Sequence, residues 1–417
     1  MRVAFFVNEF PKISETFILD QITFLLDHGC AVDIFAQELH RGAITHDDVL
    51  AYDLLRDAEL LVQPGSRNKV LRLARGLFDL ARALPQNPRL VLRSLDVRRF
   101  GARALKFEPF YRSRPFLSGP AYDIVHCHFG PIGTVGAELR ALGAFKAPLL
   151  TQFHGFDASS YLRVRGEDIY RELFREADVL LCVSERIEKR LRDMGCEARK
   201  TRVHHTGVKV AATPFSTRTP ASTRPIEVLT VGRLVEKKGI EFGLRAIARL
   251  AADCPQLRYT IVGDGPEEAR LRALSRELGL GERVTFAGAL PRDQVSQLMQ
   301  RAQVLLAPSV VAQNGDEEGI PVVLMEAMAC GLPVVSSEHA GIPELIKDSI
   351  SGLLAPERDV EALVAQLKLL LAEPNLAREL ALAAREVIER DYDVERLNAD
   401  LLSLYQNLRA DFAHRSR

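Results

Sequence analysis

The chain has 417 residues, 47% hydrophobic and 26% charged, with Lys+Arg and Asp+Glu at 55 each. That length exceeds one ordinary core and calls for two or three domains. The composition excludes a disordered or fibrous chain, and the even charge offers no basis for a nucleic-acid partner.

Six scattered cysteines (Cys30, Cys127, Cys182, Cys196, Cys254 and Cys330) form no Cys-x-x-Cys pair, so they read as buried free thiols of a reducing compartment. The opening apolar run, RVAFFV, is too short for a signal-peptide core. The longest weakly charged stretch, 319–337, holds Glu326 and two prolines, which excludes a membrane span there. A cytoplasmic placement is expected, with peripheral contact at the inner face of the membrane as an option.

In chain order, VAFFV (3–7) reads as a strand. A helix capped by Ser14 follows, with Phe17, Ile18, Ile22, Leu25 and Leu26 at a 3.6 period. Strands are expected at 31–36, 123–129, 148–154 and 178–184 with helices between, and a strand-like stretch near 203–207 ends this half. Residues 211–225, rich in Pro, Ser and Thr, read as a linker. The pattern then restarts: strands at 226–232, 258–265, 283–288, 304–309 and 333–337, helices near 239–252, 267–278, 291–302 and 321–329. A final helix over 394–412 has no strand after it and is expected to pack on the first half. The fold class is therefore α/β, two doubly wound Rossmann-like domains (1–210 and 226–392) around a central cleft, with 393–417 returning to the first. Ligands of such sheets bind outside the carboxyl ends of the strands.

The strongest chemical signal is Glu318-Gly319-Ile320-Pro321-Val-Val-Leu-Met-Glu326. Pro321 suits the first turn of a helix and Gly331 its C-terminal cap. Glu318 then precedes the helix and Glu326 lies roughly 7–8 Å along its axis. Free N–H groups and the positive helix end between the two acids favour a phosphate. A solvent-facing pair of glutamates is the plain alternative, but Glu326 sits in an apolar run where an unpaired carboxylate is costly. Gly232-Arg233…Lys238-Gly239 follows a strand and opens a helix, placing two cations where a diphosphate would lie. Gly263, in Val262-Gly-Asp-Gly-Pro266, marks another strand-end turn, without the third glycine of a dinucleotide fingerprint.

In the first half, His126-Cys-His128 ends one strand and His154-Gly155-Phe-Asp157 the next. Zinc is one reading of three histidines; a polar cluster at the cleft, with His154 nearest a sugar, is the other. Ser14, His128, Asp157 and Gly263 are further cleft residues, and the His204-His205-Thr-Gly207 turn reads as a hinge or backbone support.

Taken together, Glu318-x7-Glu326, the Gly-Arg…Lys-Gly turn, Val-Gly-Asp-Gly-Pro and His-Gly-x-Asp resemble the retaining glycosyltransferase family 4 with the GT-B fold, over nearly the whole chain. The opening Asn8-Glu-Phe-Pro-Lys-Ile-Ser-Glu-Thr-Phe17 resembles exopolysaccharide enzymes of the colanic-acid type. The family's Gly-Gly-x-Gly loop after the first strand is replaced by Pro11-Lys-Ile-Ser14-Glu-Thr16. The resemblance implies a donor diphosphate on Arg233 and Lys238, ribose on Glu326, and donor sugar on Glu318 and the Gly319, Ile320 and Pro321 backbone. It implies His154 at the reaction centre and front-face transfer with retention, from a UDP- or GDP-sugar co-substrate without a bound metal or other cofactor. The acceptor it implies is a lipid-linked or oligosaccharide chain. A sugar-nucleotide epimerase of the same fold and a non-catalytic nucleotide-sugar-binding protein are the competing readings.

Residues 66–116 carry thirteen Arg/Lys against three acids, Asp79, Asp96 and Glu108. Within them, 66–84 reads as a basic amphipathic helix with Val70, Leu73, Leu77, Leu80 and Leu84 on one face. It either packs on its own domain or lies on an anionic membrane surface.

Overall fold

The computed structural model of the chain describes residues 1–12, 15–41, 47–61, 69–217 and 226–415; the proposed cap Ser14 lies outside them. Two all-parallel sheets organise the molecule. The first contains β1 (Arg2–Phe10), β2 (Ala31–Leu39), β3 (Glu59–Leu60), β4 (Ile124–His128), β5 (Leu149–Phe153), β6 (Val179–Cys182) and β7 (Thr201–Val203), in the order β3-β2-β1-β4-β5-β6-β7. The second contains β8 (Ile226–Val231), β9 (Leu257–Val262), β10 (Val284–Gly288), β11 (Val304–Ala307), β12 (Val334–Ser337) and β13 (Leu353–Ala355), in the order β10-β9-β8-β11-β12-β13. Chain order reverses beside β1 in one sheet and beside β8 in the other, so each sheet opens a crevice at its switch point.

Why these segments form strands is plain from burial. β4, β5 and β6 are buried at every residue because helices cover both faces of a parallel sheet, so apolar runs rather than alternation are required. The helix Gly130–Leu142 sits close on this sheet because small residues face it. A methyl added at Gly133 would stand 2.4 Å from Thr151, and one at Gly136 2.6 Å from the Cys127 sulfur. Phe5, Val7, Ile18, Ile22, Leu401 and Tyr405 share one core, so the last helix, Val394–Arg415, closes over the first domain. Its Tyr405 hydroxyl meets His126 Nδ1 at 2.5 Å, and Asn398 donates to the Asp20 carbonyl at 3.1 Å.

Some elements differ from the sequence reading. The stretch near 203–207 leaves the sheet at Val203, and Val208 instead bridges to Asp393. β3, β13 and the helices Val360–Ala372 and Pro374–Asp391 had no separate expectation. Between β3 and β4 the described part of the basic segment, from residue 69 on, folds into five α-helices and a 3-10 turn, the first of them Lys69–Ala83. That helix divides the face read from its sequence. Leu80 is buried against Val91, Phe107 and Phe110, whereas Leu73, Leu77 and Leu84 are exposed, and the Val70 side chain lies outside the described set. Gly76 sets the seat, since a methyl there would stand 2.4 Å from the Phe107 ring.

Candidate active site

The described site residues lie at or after the carboxyl ends of strands. After β8 the chain turns through Gly232 and Arg233 and enters the helix Ile240–Leu250 at Gly239. Gly239 has φ +60°, and a methyl on it would fall 1.8 Å from the Pro308 carbonyl, so only glycine lets the turn sit under the chain leaving β11. Gly263, after β9, closes on the same turn: its added methyl would lie 2.0 Å from the Gly232 carbonyl. Lys238 folds back over Gly232 and places its Nζ 2.9 Å from Glu318 Oε1. Arg233 is exposed and has no ion-pair partner among the described residues.

The segment after β11 brings up the acids. Lys237 pairs with Asp316 at 3.1 Å. Glu318 is nearly buried, at 10% side-chain exposure. Burial alone would raise its carboxyl; Lys238 and then Lys237 outweigh that and hold it below the usual carboxylate range. The helix Val322–Cys330 begins directly after, with Pro321 at its N-cap, and no side chain caps it. Its first N–H groups therefore lack a capping side chain and its positive dipole end lies at this tip, a combination that favours an anion. Glu326 lies within the helix, 3.6 Å from Arg292, and burial raises its carboxyl, with nearby Asp20 of the first domain adding to the rise.

The first domain meets this tip from the other side. A methyl on Gly319 would stand 2.7 Å from the His154 carbonyl, and one on Gly155 3.1 Å from the Gly319 amide. The structure thus brings His154, Gly155, Glu318 and Gly319 together across the domain boundary. The His154 ring lies between Phe17 and Phe129, at centroid distances of 4.5 and 4.6 Å, and its Nε2 is 3.1 Å from His128 Nδ1. Burial, assisted by neighbouring His126 and His204, pushes His154 down to about 3, so it is a neutral imidazole at pH 7.

His128 and Asp157 are both fully buried. Asp157 accepts from the amides of Gly130, His154 and Gly155 at 3.0, 3.0 and 2.8 Å, so it folds the His154 loop and caps the helix Gly130–Leu142.

Sequence reasoning missed four participants. His339 and Glu357 stand behind Glu318. Glu317 takes an ion pair from Arg186 at 2.9 Å across the domain boundary. Glu344 accepts from the amides of Glu185 and Arg186 at 2.7 and 3.0 Å, capping the first-domain helix Glu185–Asp193 from the second domain. One signal was in the chain: Gly341-Ile342-Pro343 repeats Gly319-Ile320-Pro321, and Gly341 donates its amide to the Gly319 carbonyl at 3.2 Å.

With this geometry in place, comparison with known proteins is direct. The family description "Glycosyltransferase Family 4" matches residues 14–212 and "Glycosyl transferases group 1" matches residues 214–387. The chain is 37% identical over 416 residues to a protein of Escherichia coli described as colanic acid biosynthesis glycosyltransferase WcaL, covering 98% of this chain and 100% of that one. It is 35% identical to the amylovoran biosynthesis glycosyltransferase AmsK of Erwinia amylovora, over 98% and 100% of the two chains. Among solved structures, Anabaena Alr3699/HepE in complex with UDP superposes with TM-score 0.69 at 18% identity, over 98% of this chain and 100% of that one. Sucrose-phosphate synthase from Thermosynechococcus elongatus does so with TM-score 0.70 at 22% identity, over 99% and 100%. The two sheets with their facing switch points are the GT-B arrangement of these neighbours. On the matched domains and the full-length relatives, the chain belongs to the glycosyltransferases of group 1 and family 4.

Proposed function

We propose that the protein transfers a hexose, with retention of anomeric configuration and without a bound metal, from a UDP- or GDP-sugar to a lipid-linked or oligosaccharide acceptor in exopolysaccharide or cell-surface polysaccharide assembly. The observation that carries this reading is the uncapped tip of the helix Val322–Cys330, set between Glu318 and Glu326 and flanked by Lys238. Helix N–H groups and a cation at one point favour a diphosphate and stabilise the charge that grows on it as the sugar departs. Arg233, exposed on the same turn, supplies a second cation. Glu326 is placed for the ribose hydroxyls, and Glu318 with the Gly319 to Pro321 backbone for the sugar. With its basicity so depressed by burial, His154 suits a hydrogen bond to a sugar hydroxyl rather than proton removal. Retention then proceeds by front-face attack, the acceptor proton passing to the departing diphosphate oxygen.

The polysaccharide assignment rests on the full-length likeness to the WcaL and AmsK proteins. A polymer grown on a lipid carrier would suit residues 66–116. In the helix Lys69–Ala83, Leu73, Leu77 and Phe78 are 52%, 56% and 60% exposed beside exposed Arg75 and Arg82, a pairing suited to anionic lipid. No helix among the described residues is long and apolar enough to cross a membrane. A panel of UDP-, GDP- and ADP-sugars in a thermal-shift assay tests the donor class, since a ligand that binds only the native state raises the midpoint. Nucleotide release that depends on acceptor supports transfer. Release without acceptor supports the epimerase-like alternative, and binding without turnover a non-catalytic role.

A further inference from the structure

The loop after β12 holds the segment after β11 by two hydrogen bonds. Gly341 donates to the Gly319 carbonyl at 3.2 Å, and the Glu318 amide donates to His339 Nε2 at 3.1 Å. His339 is fully buried. Its other nitrogen, Nδ1, lies 2.6 Å from Glu357 Oε1, while Glu357 Oε2 accepts the Val311 amide at 3.0 Å. We propose that His339 and Glu357 are positioning residues for glycosyl transfer: together they fix the backbone of Glu318 so that its carboxylate is held at the helix tip. This rests on the reading of Glu318 as a donor-sugar contact.

The chemistry forces the tautomer. An amide N–H can donate only to a ring nitrogen with a free lone pair, so Nε2 is unprotonated and the proton resides on Nδ1. A carboxylate at 2.6 Å is the partner that selects this form, as an outer carboxylate does for a histidine whose second nitrogen has a duty. The opposite tautomer would set two N–H groups face to face inside the protein, leaving both unsatisfied. Glu357 is itself secured: burial would raise it, but the Val311 amide and His339 hold its carboxyl below the usual range. Segments after three adjacent strands (Val311 and Glu318 after β11, His339 after β12, Glu357 after β13) are thus tied into one chain of hydrogen bonds that ends on Glu318. Sequence spacing does not reveal this pair, because 18 residues and a strand separate them.

The test uses the full chain with His339→Ala, His339→Gln and Glu357→Leu. A glutamine oxygen reaches the place of Nε2 and accepts the Glu318 amide without a tautomer to select. Three readouts apply: hydrogen exchange of the peptide spanning 317–321, affinity for bare UDP and GDP, and kcat with KM for nucleotide release from whichever donor the sugar panel identifies. In His339→Ala and Glu357→Leu, exchange of that peptide is expected to quicken about tenfold or more, and kcat to fall about tenfold to a hundredfold. Affinity for the bare nucleotide is expected to stay within about threefold, and His339→Gln to recover both exchange and kcat to within about threefold. Wild-type exchange in His339→Ala and Glu357→Leu overturns the proposal, as does a glutamine variant no better than alanine at an unchanged thermal midpoint. If His339→Ala folds poorly, Glu357→Leu, which keeps the imidazole, carries the same exchange comparison. Should the wild type turn over no donor, the reading of Glu318 fails separately, and the exchange result alone decides whether His339 holds the loop.

Discussion

Lys238 Nζ lies 2.9 Å from Glu318 Oε1, joining the turn after β8 to the residue that precedes the helix Val322–Cys330. The pair places a cation and an acid side by side at one helix tip. On the proposed function, a diphosphate entering there would gain Lys238 as a partner, while the sugar beyond it would meet Glu318. Glu318→Gln is therefore expected to lower kcat for nucleotide release about a hundredfold and to leave affinity for bare UDP or GDP within about threefold. Steady-state kinetics and isothermal titration check the split. A parallel loss in both would show that Glu318 serves nucleotide binding instead.

Arg233 is exposed and makes no ion pair among the described residues, so its removal costs the fold little. Arg233→Ala is expected to weaken UDP or GDP affinity about tenfold, with a thermal midpoint close to wild type. Unchanged affinity by calorimetry would place the diphosphate elsewhere.

Stability against pH follows from the depressed Glu318 carboxyl. A carboxyl lowered in the folded state stabilises the protein above its unfolded value, near 4.3, and that contribution is lost as pH falls through the folded value. The thermal midpoint of the wild type should exceed that of Glu318→Gln at pH 7, and the gap should narrow below about pH 4.3. A gap that stays constant or widens from pH 7 to pH 3 would contradict the sign.

The domain boundary is held by Glu344 on the amides of Glu185 and Arg186 and by the Arg186–Glu317 ion pair. Glu317 is the chain neighbour of Glu318, so this contact reports on the proposed donor segment. Glu344→Ala with Arg186→Met should loosen the two halves, raising the radius of gyration in small-angle scattering and lowering kcat/KM. Scattering that matches wild type would mean that other contacts hold the two halves together.

Arg75 and Arg82 are exposed beside Leu73, Leu77 and Phe78. Vesicles containing anionic lipid should sediment the wild type, and Arg75→Glu with Arg82→Glu should release it, worth about 1 kcal/mol per charge near the surface. Equal recovery from neutral and anionic vesicles would remove the membrane from the account.

Much of this architecture was legible in the chain because parallel strands buried on both faces must be apolar runs. VAFFV and DVLLCVS lie on β1 and β6 for that reason. The acids bracketing the helix tip were legible from Pro321, Gly331 and the apolar context of Glu326. The remainder is tertiary. Nothing local marks His339, whose role exists only because β12 and β13 are neighbours. Asp157, at a strand end, looked like a cleft acid; three backbone amides take it up instead. Leu80 and Leu77 share a helical stripe in sequence, but only the first lies over Phe107 and Phe110.

The most direct test is a crystal structure of the protein with its donor, or with UDP or GDP. The account predicts the diphosphate against the first turn of Val322–Cys330, within hydrogen-bond reach of Lys238, with the ribose hydroxyls on Glu326. A nucleotide bound away from that turn, with the tip facing only solvent, would contradict it.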